Sequence, residues 1–378
     1  MGKLRVLQVN KLYWPHIGGI ESLVKQYSEG LSKFDDIDVR VLVCKDGRGK
    51  GSVEKIQGVN VTRANSFGTY FSCPLSFDFI RKFRLMAKDA DVVEMHVPFP
   101  LSDAALLLSG YKGKVVVAWH SDVIKQKKLL LIYKPFMRYL LKRADKIIVA
   151  TEGHITGSSY LPEYKDKCVV IPYGLKASDY PSEPSGFLSS RACSKEAVKV
   201  FFSGRLVYYK GVDVLLRAFK DVAGAELFIS GDGVLETELK EFVRNSQMDE
   251  KVHFMGFLSD EDLKKAYSDC DIFVLPSVEK SEAFGIVQLE AMACGKPVIN
   301  TALESGVPFV SLDGITGLTV PPKDPEALAE ALDKLCSSPE LRSRYGMAAM
   351  ERAKSEFDED IIISKLHELL VNLVKEQG

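Results

Sequence analysis

Short apolar runs alternate with amphipathic stretches along most of this chain. Residues 4–10, 39–44, 59–63, 91–97, 115–119, 146–150 and 169–174 form short runs rich in apolar residues. Such runs predict strands of a parallel sheet covered on both faces. Residues 20–33 place Ile20, Leu23, Val24, Tyr27 and Leu31 on one helical stripe after the first strand. The pattern restarts after a Ser-, Pro- and Ala-rich stretch at 175–195, which reads as a linker. Strands are then predicted at 198–203, 226–230, 252–255, 272–275 and 297–300. Helices are predicted at 212–222, 234–245, 260–268, 282–294 and 324–335, the last with Pro325 at its first turn. The final forty residues read as helix only. No short-period repeat interrupts this alternation. It predicts an α/β protein of two doubly wound domains, with ligands at the carboxyl ends of strands in the cleft between the halves.

Composition narrows the class. A chain of 378 residues exceeds the usual single core. No apolar run approaches the length of a membrane span. The N-terminal residues lead directly into a strand, so no secretory leader is expected. Seven cysteines, odd in number and without C-x-x-C, suit a reducing cytoplasm and argue against zinc. Charge is divided unevenly. Residues 1–190 hold 28 Lys/Arg and 19 Asp/Glu, whereas 191–378 hold 22 and 32. A basic first half points to an anionic partner.

The candidate chemistry centres on the predicted helix 282–294. Glu282 and Glu290 would lie about 80° apart around its axis and roughly 12 Å apart along it. The amides of Phe284, Gly285, Ile286 and Val287 would be the unpaired donors of its first turn, suited to a phosphate. A sugar diphosphate fits, with Glu282 toward the sugar and Glu290 toward the ribose. Spacing alone equally allows a plain helix with two solvated glutamates. Arg205 and Lys210 flank a loop that opens another helix; together they could neutralise a departing diphosphate without a metal. A solvated basic loop is the alternative.

Gly18 and Gly19 could let a backbone approach a phosphate or sugar, or could form an ordinary turn. G-x-G-x-x-G is absent, which disfavours a dinucleotide oxidoreductase. His120 closes a predicted strand where it could bond a substrate, although a lone histidine there is more often structural; His96 and His16 have weaker claims. Residues 230–233 read as a tight turn. The pairs Asp36/Asp38, Asp89/Asp91 and Asp269/Asp271 are assigned to no metal.

These motifs resemble the family 4 glycosyltransferases, which are retaining enzymes of the GT-B fold. The resemblance rests on Gly18-Gly19, Gly204-Arg205 with Lys210-Gly211, and Glu282 to Glu290 followed by Ala293-Cys294-Gly295-Lys296-Pro297-Val298. Gly314 to Leu318 with Val320-Pro321-Pro322 and Asp324 extend it over essentially the whole chain. It implies two doubly wound, Rossmann-like domains facing a cleft. An acceptor domain would span 1–174 and a nucleotide-sugar domain 196–356, with 357–378 crossing back onto the first. It also implies metal-independent sugar transfer with retained configuration, using Glu282 and His120 at the reacting sugar. Arg205, Lys210 and the 285–287 amides would take the leaving charge, and the base would sit near Met255-Gly256-Phe257-Leu258.

Residues 8–11 with Pro15, and 301–307, resemble most the bacterial polysaccharide and O-antigen enzymes, many of them mannosyltransferases. The implied donor is GDP-mannose, with a UDP-sugar as the alternative. The implied acceptor is a polyprenyl-diphosphate-linked saccharide; no nucleic acid and no further cofactor are expected. A sugar-nucleotide epimerase and a non-catalytic nucleotide-sugar-binding subunit are the other readings. The stretch 125–143 carries seven cations, no acid and interleaved apolar side chains. Pro135 marks a break or a second helix start. This face, extended by Phe67, Tyr70, Phe71, Phe77, Phe79, Arg81, Lys82 and Arg84, could bind peripherally to the anionic inner leaflet; a core helix with a solvated basic face is the alternative.

Overall fold

The strand Leu4–Val9 lies at the middle of a sheet and sends alternate side chains to two different cores. Leu7 and Val9 enter one, Val6 the other. This is the burial that a continuous apolar run demands in a parallel sheet. The computed structural model describes residues 2–16, 18–70, 73–122 and 127–376. They divide into two compact units, Met1–Tyr173 with Asp360–Gly378, and Gly174–Glu359.

In the first unit eight strands follow the order Cys168–Val170, Lys146–Val149, Lys114–Trp119, Val92–Val97, Leu4–Val9, Ile37–Cys44, Val59–Ala64 and Val53–Ile56. All described pairs in this sheet are parallel except the last, an antiparallel hairpin at the edge. Helices Phe77–Ala87, Pro100–Ser109 and Lys127–Arg143 supply one core, through Phe79, Phe83, Leu106, Met137 and Leu140. Helices Gly19–Leu31 and Glu359–Lys375 supply the other. A Cβ on Gly30 would stand 2.6 Å from Ile363 Cγ1, so these two helices meet over a residue that must stay small.

The second unit has six parallel strands, ordered Val252–Gly256, Ala225–Ser230, Val198–Ser203, Ile272–Val274, Val298–Thr301 and Gly317–Val320. The stretch 175–195 is no free linker but part of this unit. Asp269 accepts from the amides of Gly186, Leu188 and Ser189. Glu226 accepts from those of Cys193 and Ser194. The ligand atoms of Cys193, Glu226 and His253 come within 4.8 Å of one another. Both Glu226 oxygens are already taken by the two amides and by His253 Nε2 at 2.6 Å, so this cluster works as a strap. The other acidic pairs are structural too. Asp91 binds Arg5, Asp271 binds Lys199, and Asp36 binds His367.

The described residues of the final forty are helical, as expected, in two helices, Pro339–Glu356 and Glu359–Lys375, separated by Phe357 and Asp358. One further expectation changes. The helix Lys127–Arg143 runs through Pro135 without a break. That proline is exposed, where water can meet the carbonyl it strands.

Candidate active site

The predicted helix 282–294 begins later, at Ile286, and runs to Ala293. Gly285 stops it from starting earlier. Its φ of 72° is left-handed, and a Cβ there would lie 2.5 Å from Leu275 Cδ2. Glu282, Ala283 and Phe284 therefore lie in the preceding loop, and the helical disposition of Glu282 and Glu290 does not hold. The first turn is fixed from below. Gln288 Nε2 donates to the carbonyls of Phe284 (2.8 Å) and Val307 (3.1 Å), and Asn300 Nδ2 donates to Gln288 Oε1. Amides of Ile286 and Val287 open this turn, without partners inside the helix.

Glu282 and Lys210 come together as a nearly buried ion pair. Lys210 Nζ lies 2.6 Å from Glu282 Oε2, which also accepts from Ser277 Oγ at 2.9 Å. Only 7% of Lys210 and 8% of Glu282 is exposed. The meeting depends on Gly211, whose φ is 66° and whose added Cβ would stand 2.1 Å from the Pro276 carbonyl oxygen. That approach lays the Tyr208–Lys210 turn against the end of strand Ile272–Val274. Removing one member of such a pair strands the other charge in a poorly solvated place.

Arg205 does not join them. It is exposed, and its Nη2 donates to the Tyr209 hydroxyl at 3.1 Å. Its loop is locked to residues 230–233: Gly204 N donates to Ser230 O and Leu206 N to Asp232 O. A Cβ on Gly231 would stand 2.0 Å from Gly204 O, so this turn is structural.

Glu290 lies in the helix proper. Its Oε1 accepts from the Tyr180 hydroxyl at 3.2 Å, while Oε2 is buried without a partner. The Tyr267 hydroxyl is also buried and unpartnered. The Tyr267 hydroxyl lies near Glu290 without completing a hydrogen bond to it; burial raises the Glu290 pKa, and the Tyr267 and Tyr180 hydroxyls oppose that rise. Phe257, beside Gly256, is 80% exposed.

Gly18, Gly19 and His120 belong to the first unit, and the other candidates to the second. Gly18 is extended, and a Cβ there would meet Glu21 Oε2 at 2.3 Å; nothing lies within 4 Å of one on Gly19. Both nitrogens of His120 are engaged, Nε2 with His96 Nδ1 and Nδ1 with the Tyr173 hydroxyl, each at 3.0 Å. Burial, aided by His154, pushes the His120 pKa down to about 3, so its ring is neutral near neutral pH. His16 pairs with Asp46 at the surface. Sequence reading passed over Ser277, Tyr180, Tyr267, Tyr173 and Glu94. No spacing rule links these residues to the motifs they support.

Comparison with known proteins places this geometry. A family model described as glycosyl transferases group 1 matches residues 190–352, and one described as glycosyltransferase family 4 matches 17–177. An O-antigen chain mannosyltransferase C from Escherichia coli is 31% identical over 99% of this chain and 100% of its own. The D-rhamnosyltransferase WbpZ of Pseudomonas aeruginosa is 33% identical over 94% and 92%. Among solved structures, sucrose-phosphate synthase from Thermosynechococcus elongatus has a TM-score of 0.80 at 22% identity, covering 99% of this chain and 100% of its own. Anabaena HepE in complex with UDP has 0.79 at 18% identity, covering 98% and 100%. The chain belongs to the family 4 glycosyltransferases, enzymes of the GT-B fold.

Proposed function

We propose that this enzyme moves mannose from GDP-mannose to a polyprenyl-diphosphate-linked saccharide during O-antigen synthesis, with retained anomeric configuration and without a metal. The observation that carries the reading is the buried Lys210–Glu282 pair beside the first turn of helix Ile286–Ala293. Lys210, Arg205 and the 285–287 amides would offset the charge that develops on the leaving diphosphate. Glu282 would hold sugar hydroxyls and oxocarbenium-like charge, and Glu290 the ribose diol. His120 would donate from Nδ1 to a sugar oxygen that takes the place of the Tyr173 hydroxyl. Near-full-length similarity to a protein named as an O-antigen mannosyltransferase supports the donor and the pathway.

The acceptor reading makes the first unit a peripheral membrane surface on the inner leaflet. No helix among the described residues is long and apolar enough to cross a membrane. Phe67, Tyr70, Phe77 and Leu85 are exposed apolar groups, and Arg84, Arg138 and Lys142 exposed cations. The expected surface is narrower than its sequence. Phe79 is core, Asp78 pairs with Arg81 and Lys82, and Arg143 pairs with Asp145. Phe71 and Lys125 lie outside the described residues.

The test is a panel of GDP- and UDP-sugars. A donor at 100 times its Kd should add about 2.7 kcal/mol of stability, read as a thermal shift. Stabilisation and turnover with GDP-mannose alone are expected. Response only to a UDP-sugar would overturn the donor, and sugar isomerisation without an acceptor would overturn transfer.

A further inference from the structure

Beneath His120 a row of polar side chains runs into the sheet. Tyr173 hydroxyl, His120, His96 and Glu94 follow one another, and the row continues through Gln8 to Ser28. The contacts are 3.0 Å for Tyr173–His120 and His120–His96, 3.2 Å for Gln8 Nε2 to Glu94 Oε2, and 2.8 Å for Ser28 Oγ to Gln8 Oε1. Glu94 is fully buried on Val92–Val97, a strand in the interior of the sheet. Two atoms in this row have no partner, Glu94 Oε1 and His96 Nε2, and they face each other at 3.6 Å. That is slightly beyond a hydrogen bond, yet one proton between them would satisfy both.

We infer that Glu94 and His96 are positioning residues, with the Glu94 carboxyl proton fixing His120 as the tautomer that carries hydrogen on its outward nitrogen, Nδ1. The inference rests on the donor-side role proposed above for His120.

Hydrogen bonding leaves two consistent arrangements. Gln8 donates to Glu94 Oε2, so a proton on the carboxyl group sits on Oε1 and points at His96 Nε2. His96 then carries its hydrogen on Nδ1 and donates to His120 Nε2, and His120 Nδ1–H points at the Tyr173 oxygen. If Glu94 is ionised, each bond from Glu94 through His96 and His120 to Tyr173 reverses. His96 Nε2–H faces the carboxylate, His120 donates from Nε2, and Nδ1 becomes an acceptor. A sugar oxygen would meet a donor in the first case and a bare lone pair in the second.

The surroundings favour the first. Burial pushes Glu94 up to about 8, and both imidazoles are held neutral, His96 far below its ordinary range. Facing Glu94 are Gln8 on the neighbouring strand, His96 on its own strand and Tyr27 on helix Gly19–Leu31. His120 faces His154 on helix Glu152–Thr156, which is itself held neutral by burial against the charge of Asp122. No cation contributes to the shift on Glu94.

The experiment is NMR of the full chain with nitrogen-labelled histidine, the His120 signals being assigned by their loss in His120→Gln. Wild type should show Nδ1–H near neutral pH and pass to Nε2–H above about pH 8. Glu94→Gln mimics the protonated acid, its amide nitrogen replacing the hydroxyl, and should keep Nδ1–H throughout. Nε2–H in neutral wild type, no change on raising the pH, or an unaltered titration in Glu94→Gln would overturn the inference. The wild-type titration decides even where the variant fails to fold. In a GDP-mannose transfer assay, Glu94→Met should lower kcat roughly 10- to 100-fold, the scale of the loss when the partner orienting a metal-bound histidine is removed. Glu94→Gln should rescue it. If the donor reading is wrong, wild type itself is inactive in that assay while the NMR result stands.

Discussion

Lys210 Nζ and Glu282 Oε2 lie 2.6 Å apart, so the cation assigned to the diphosphate and the carboxylate assigned to the sugar are one electrostatic unit. A ligand that approaches either group meets the field of both.

Lys210→Met and Glu282→Leu should therefore each lower stability as well as transfer, by about 3–5 kcal/mol for a stranded buried charge. The double variant should regain most of that stability and none of the transfer. Paired denaturation and transfer assays check this. Additive stability losses would show that the ion pair is not coupled.

Gly211→Ala should cost at least about 1–3 kcal/mol, because a side chain must enter a left-handed conformation against the Pro276 carbonyl. Denaturant unfolding measures the loss, and nucleotide affinity should fall with it. Gly19→Ala, with open space around its Cβ position, should be far milder.

Tyr180→Phe removes the hydroxyl that donates to Glu290 Oε1. Calorimetric titration with GDP should show weaker binding by about 1–3 kcal/mol, the scale of an unsatisfied buried acceptor. Unchanged affinity would separate Glu290 from the nucleotide.

The buried Glu94 gives stability a pH dependence of definite sign. Its folded pKa is raised to about 8, above the unfolded value of 4.5. Between those values the unfolded chain releases a proton that the folded chain keeps, so this contribution falls as pH rises, by at most about 1.4 kcal/mol per unit. Above about pH 8 it is flat. Urea midpoints of wild type and Glu94→Gln, compared from acid to mildly basic pH, should diverge in that window, with the variant losing less.

Liposome sedimentation checks the proposed membrane surface. Wild type should pellet with anionic vesicles, and less so as salt is raised. Phe77→Ser with Arg84→Glu and Arg138→Glu should remain in solution while GDP binding is unchanged. Equal binding to neutral and anionic vesicles would refute an electrostatic contribution.

Strands buried on both faces were legible because nearly every position must be apolar, and residues 198–203 form a strand with the same ends. The edge strand Val53–Ile56 was not, since its largely exposed residues carry no pattern. Helix 282–294 was started four residues too early because Glu, Ala and Phe are acceptable helix residues; the left-handed Gly285 cancels their preference. Lys210 and Glu282 were each picked out by motif, yet their contact depends on Gly211 lying under Pro276, a tertiary fact. Glu94 sits in an apolar run where period-two reasoning has no solvent face to assign, so its burial left no trace in the pattern.

The first unit borrows Ile362, Ile363, Leu366, Leu370 and Leu373 for its core. This has a consequence in time. As the chain is synthesised, the second unit has all its residues once Glu359 is made. The first, though begun earlier, keeps the part of Gly19–Leu31 that meets Ile363 at Gly30 uncovered until the helix Glu359–Lys375 emerges. The half that is translated first is thus the half that can finish folding last, and nascent-chain quality control would meet its open face throughout elongation.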